Sequence, residues 1–163
     1  MRRWWYTAMA TFVCAMIATV CVGPSQATAL GAPGRGFVAE AITLGSFLGP
    51  LVLVVALVTA GITTALRLVV SSAGSRAVEM PAVRFLLGLL PVGVLVAVPA
   101  NDFGDILGLA GAWLVSGGVG GLAVGTSEEG RATISWRVVL LGGAVAVCAG
   151  FAMVFVQSSI NAP

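Results

Sequence analysis

The chain has 163 residues, of which 59% are hydrophobic and 9% charged, with a formal net charge of +2. Soluble domains carry about 25% charged residues, and a mean hydropathy of +1.08 excludes a water-soluble globule, a disordered chain and a disulfide scaffold. What remains is an integral membrane protein whose first partner is the lipid bilayer, with no basic stripe to hold nucleic acid.

A helix needs about 20 mostly apolar residues to cross a bilayer. Five charge-free stretches qualify or nearly so: 4–34, 41–66, 85–101, 106–127 and 138–163. They predict hydrophobic helices over 4–22, 44–68, 83–100, 105–125 and 137–157. The expected fold is an all-α, polytopic transmembrane bundle of four or five spans, one membrane domain over residues 1–163. Helices are expected because lipid leaves no water to satisfy the backbone. The alternating polar positions of a β-barrel are missing.

The first element has two readings. Met1–Thr7 is a basic leader, Ala8–Val22 an apolar run, and Gly23-Pro24-Ser25-Gln26-Ala27 ends in small-x-small spacing. That describes a signal peptide cleaved after Ala27, and equally a retained first span. Cys14, Cys21 and Cys148 read as small buried hydrophobes. The second element is helix-compatible from Phe37 to Ser72, about 54 Å, which is too long for one straight crossing. Gly45, Gly49 and Pro50 are expected to divide it into a short interfacial piece near Phe37–Leu48 and a span beyond a kink at Pro50. Glu40 is expected at the outer surface, solvated. In the third element, Gly88, Pro91 and Pro99 predict a kinked helix rather than a closely packed one.

The fourth element holds the most specific pattern. Gly104, Gly108, Ala112, Ser116 and Gly120 recur every four residues, and Gly117, Gly121 and Gly125 form a second row. The fifth repeats the theme with Gly142, Ala146 and Gly150. Small residues at this spacing let helix backbones approach closely in lipid, so these rows are the expected helix-packing interface. Two uses compete: packing within the bundle and docking against another subunit. Trp113, at the middle of the fourth span, reads as a lipid-facing or packed ring, with a wall for a lipid or quinone-like ligand as the alternative.

All eight basic residues are arginines, and with abundant Ala, Gly and Val they suggest a GC-rich bacterial genome. If the spans alternate, Arg2, Arg3, Arg67, Arg76, Arg84, Arg131 and Arg137 fall on one side and only Arg35 on the other. The positive-inside rule then predicts the bacterial cytoplasmic membrane with the N-terminus, if uncleaved, in the cytoplasm and the C-terminus outside. Trp4, Trp5, Tyr6 and Trp136 would anchor the cytoplasmic interface.

The chemistry is sparse. Histidine and lysine are absent, so no general base stands beside a nucleophile, and no phosphate loop or dinucleotide fingerprint appears. No cofactor or metal is predicted. Asp102 and Asp105 lie at the outer start of the fourth span. They read as a helix cap in the favourable first turn, or else as the outer mouth of a cation or proton path. Glu79, Glu128 and Glu129 read as solvated loop charge. No ionisable residue lies at the centre of a span. The expected function is a non-catalytic membrane subunit that packs against other membrane protein subunits of a larger complex and stabilises or positions them. The alternative is a small homo-oligomeric transporter or channel for an ion or small solute.

Overall fold

An apolar chain without water satisfies its peptide groups most directly within each segment, and helices account for almost all of the structure. The computed structural model describes residues 2–29, 36–72, 80–97, 107–126 and 132–160. In chain order these form α1 (Arg2–Ala29), α2 (Phe37–Ser72), α3 (Pro81–Ala97), α4 (Leu107–Ala123), β1 (Val124–Thr126), β2 (Ala132–Ile134) and α5 (Trp136–Ile160). Three helices, α1, α2 and α5, are long and apolar enough to cross a membrane. Helices α3 and α4 have 17 residues each, about 25 Å of rise.

The helices run alternately up and down. Trp4 lies against Gly61 and Leu44 against Gly23, so α1 and α2 are antiparallel. Thr11 meets Gly120 while Gln26 meets Gly108, which sets α4 antiparallel to α1. Gly88 meets Gly117 and Gly121, and Leu114 meets Gly93, which sets α3 antiparallel to α4. Ile17 meets Gly143 and Val22 meets Gly150, so α5 runs parallel to α1. The middle of the bundle is α4: from Gly108 to Gly125 no residue is exposed. Helix α1 is the other largely buried helix, and α2, α3 and α5 form the outer wall with exposed Phe47, Val54, Leu90, Leu141 and Phe155.

Four expectations change. Helix α1 does not end at Gly23-Pro24 but continues to Ala29, because packing holds its last turns: Gly23 is buried against Leu44 and Gln26 is 2% exposed. Helix α2 is one helix of 36 residues with Pro50 inside it, not two pieces. Its first turn starts at Gly36, whose φ of 90° suits glycine alone and whose carbonyl accepts the Glu40 N–H. Gly88 and Pro91 do not keep α3 from packing closely, since α3 makes the tightest backbone crossing with α4. And the segment after α4, expected as plain loop, opens into an antiparallel ribbon with Val124 opposite Ile134 and Thr126 opposite Ala132.

Pro91 has no N–H, so the Leu87 carbonyl one turn earlier loses its intrahelical donor. Thr63 of α2 supplies the replacement, its hydroxyl donating to Leu87 O at 3.1 Å. Neighbouring hydroxyls serve this purpose in membrane helices.

At the α3–α4 crossing, a Cβ on Gly121 would overlap the Arg84 carbonyl and stand 3.1 Å from Gly88 Cα, whereas one on Gly93 would meet only Leu114 Cδ2 at an ordinary 3.5 Å. Gly121→Ala is therefore expected to lower stability in detergent by about 1–3 kcal/mol, and Gly93→Ala to leave it unchanged or raise it slightly. Paired thermal unfolding curves check this; equal melting of the two variants contradicts the crossing.

Candidate functional site

The small-residue rows lie at the meeting of three helices. A Cβ on Gly108 would collide with Gln26 Oε1 and Val154, and one on Gly120 with the Thr11 hydroxyl. Between them Ala112 is fully buried with Ala18 of α1 and Ala146 of α5, one alanine from each helix. Ser116 is fully buried, its hydroxyl donating to Ala112 O at 2.8 Å. From α5, Gly142 accepts the bulk of Val119, and a Cβ on Gly150 would stand 2.7 Å from Val22 and 3.1 Å from the Gly108 carbonyl. The second row faces the other way: a Cβ on Gly117 would stand 2.7 Å from the Gly88 carbonyl and 2.5 Å from Val92. Gly118 lies under the Phe85 ring, and Gly125 belongs to β1. Both rows of α4 are thus occupied from within the chain. Gly104, with Asp102 and Asp105, lies outside the described residues, as do Arg35, Arg76, Glu79, Glu128, Glu129 and Arg131.

Polar side chains tie the same helices together. Gln26 Nε2 donates to Gln157 Oε1 at 2.7 Å, and the Gly108 N–H donates to Gln26 Oε1 at 3.0 Å. Gly108 stands in the first turn of α4, where backbone N–H groups have no partner in their own helix. One glutamine of α1 therefore caps α4 and bonds α5. Trp113 is 7% exposed, and its indole N–H donates to Thr19 Oγ1 at 3.0 Å. It is a packed ring with its polar edge satisfied. Cys14 is buried with its thiol donating to Val139 O at 3.2 Å. Cys148, expected in the interior, is instead exposed on α5, and Cys21 is half-buried.

At its other end α4 leaves carbonyls without donors, and the partial negative charge of the helix terminus collects there. Two guanidinium groups meet it. Arg67 of α2 donates to Gly121 O, and Arg84 of α3 donates to Leu122 O at 2.8 Å and to Val124 O. A guanidinium's several N–H groups allow one side chain to serve two carbonyls. The arginines with described side chains all lie at this end of the bundle: Arg67 and Arg84 turned inward, Arg3 and Arg137 exposed. Trp4 and Trp5 pack edge to face there, ring centroids 4.7 Å apart, and Trp136 opens α5.

Among the described residues no group of three or more His, Cys, Asp or Glu is placed to hold a metal. Val20, Phe37, Ile42 and Ser46 help line a shallow, largely apolar groove of about 460 Å³ between α1 and the start of α2. Glu40 stands half-buried in the first turn of α2, on the side favoured by the helix dipole.

Sequence reasoning missed the two glutamines, the inward turn of Arg67 and Arg84, and the role of Gly88. The glutamines carried a signal. They are the only two in the chain, each stands at the end of an apolar run, and an amide in lipid needs a partner. No family model matches the chain, and no curated protein or solved structure is similar to it.

Arg84→Met leaves at least one α4 carbonyl without a donor and is expected to destabilise the protein by about 2 kcal/mol. Arg137→Met, at an exposed arginine, is expected to change little. Unfolding of both variants in the same detergent checks the difference.

Proposed function

We propose that the protein is a non-catalytic, five-span subunit of a larger bacterial membrane complex, packing against other membrane subunits and stabilising or positioning them. The observation that carries this reading is where the polar and small groups point. Gln26, Gln157, Trp113, Arg67 and Arg84 bond to neighbouring helices of the same chain, and the glycines of α4 are filled by side chains and backbone. The interior is used up in holding itself together, and what faces outward is the apolar wall of α2, α3 and α5. The docking role once open to the α4 rows passes to that wall. With the interior filled, a solute path through the bundle has less support than a packing role.

Two of the long helices, α1 and α5, match the thickness of one bilayer. The rise from Trp4 to Gln26 along α1 is about 33 Å, and from Trp136 to Gln157 along α5 about 32 Å, both close to the ~30 Å hydrocarbon thickness. The arginine end then faces the cytoplasm and the glutamine end the outside. In this reading α3 and α4 complete the five spans despite their shorter described lengths: side chains of α1, α2 and α3 bond the ends of α4, and α3 lies against α4 at backbone distance.

Photo-crosslinkers at Val54 and Leu141, on the outward wall, are expected to join a foreign membrane subunit in native membranes, whereas one at Ala56, fully buried, gives only intramolecular products. Crosslinks from the wall that reach solely lipid or a second copy of the chain overturn the subunit reading. For orientation, reporters fused at Ser75 and at Pro163 are expected to be active inside and outside the cell respectively; the opposite pattern inverts the topology.

A further inference from the structure

We infer that residues 2–29 stay in the mature protein as a central helix of the bundle, and that Ser25-Gln26-Ala27 is not a processing site despite its small-x-small spacing. Three independent features of α1 carry this. First, the helix continues through Ala29, so the bond after Ala27 lies within helical backbone, whereas proteolysis favours exposed, irregular chain. Second, the middle residue of the spacing, Gln26, is 2% exposed and bonded to both Gln157 and the Gly108 N–H. Third, α1 is built as an interior helix. Of its most apolar 18-residue window 56% is buried, against 17% for α2 and 28% for α5.

The buried face of α1 is made of small and hydroxyl-bearing residues, Thr11, Ala18 and Thr19 among them, each set against α4. A segment that only passes through lipid on its way to removal gains nothing from such matching. Its loss would strip the Trp113 indole, the Gly108 N–H and Gln157 of their partners at once, and would open the backbone of Gly120 and Gly150 where Thr11 and Val22 now sit. The N-terminal segment thus directs the chain to the membrane and then remains as part of its core.

The test is the intact mass of the full chain, carrying a C-terminal tag and purified from bacterial membranes, beside an Ala27→Arg variant whose bulky charged residue blocks cleavage at such a spacing. The expected result is that both proteins retain α1 and differ only by the substitution. A wild-type mass beginning at Thr28, restored to full length in Ala27→Arg, overturns the inference. A second epitope ahead of Met1 gives a further readout: it is expected to co-purify with the C-terminal tag, and its absence from the membrane-bound protein counts against retention. Neither readout depends on the identity of any partner subunit.

Discussion

Close approach of helix backbones to α4 is the constraint on which the rest of the bundle depends. Within lipid there is no hydrophobic force to press one apolar helix against another, so association rests on dispersion contacts and hydrogen bonds. Both fall off steeply with distance, and α4 removes the side chains that would keep its neighbours away. Gly117 and Gly121 admit Gly88 of α3, Gly108 and Gly120 admit α1, and Gly150 of α5 reaches the Gly108 carbonyl. The result is a helix with three neighbours at backbone distance. The remaining apolar bulk is left for the outer wall, where Phe47, Leu141 and Phe155 are exposed.

The short length of α4 adds a second demand. The described α4 of 17 residues rises about 25 Å, so on the five-span reading at least one of its ends stops short of the water beyond the ~30 Å hydrocarbon. Unpaired peptide groups at such depth are costly, and the neighbours supply what solvent does not. Gln26 accepts from the first turn, and Arg67 and Arg84 donate to the last. Through these ends α4 is bonded to α1, α2 and α3, and Gln157 extends the link to α5. The arginines therefore do more than carry charge at one end of the bundle. Two of them donate to a helix terminus, while Arg3 and Arg137 are exposed.

The helices were legible because apolar runs bounded by charge leave little choice in lipid; α5 falls within three residues of its expected limits, whereas α2, Phe37–Ser72, overruns its expected 44–68 at both ends. The small-residue periodicity of Gly108, Ala112 and Gly120 was legible too, since spacing alone places them on one face. What spacing does not contain is the partner. Nothing local shows that Gly88, between two leucines, meets Gly117, or that Thr63 replaces the bond Pro91 removes. Local rules also misplaced the end of α1. Gly23 and Pro24 are helix-ending residues by propensity, yet Gln26 and Leu44 hold the helix beyond them, a case of tertiary contact overriding local preference. The ribbon of Val124–Thr126 with Ala132–Ile134 escaped because three-residue strands are too short to show alternation. For Asp102 and Asp105, the sequence offers a cap or a mouth, and they fall beyond the described residues.

The enclosure of α4 bears on the order in which the protein is made. Helices leave the ribosome from the N-terminus, so α1, with Gln26 and Thr19, precedes α4 and is present when Gly108 and Trp113 need partners. Arg67 and Arg84 likewise arrive before the carbonyls they serve. Only α5 comes later. Until it is in place, the flank of α4 that meets α5, along Gly108, Gly111 and Ala112, lacks the cover of Val154, Met153 and Ala146. The last span is therefore the one that closes the bundle, and a chain halted before it would present an uncovered seam of backbone to whatever membrane protein is nearby.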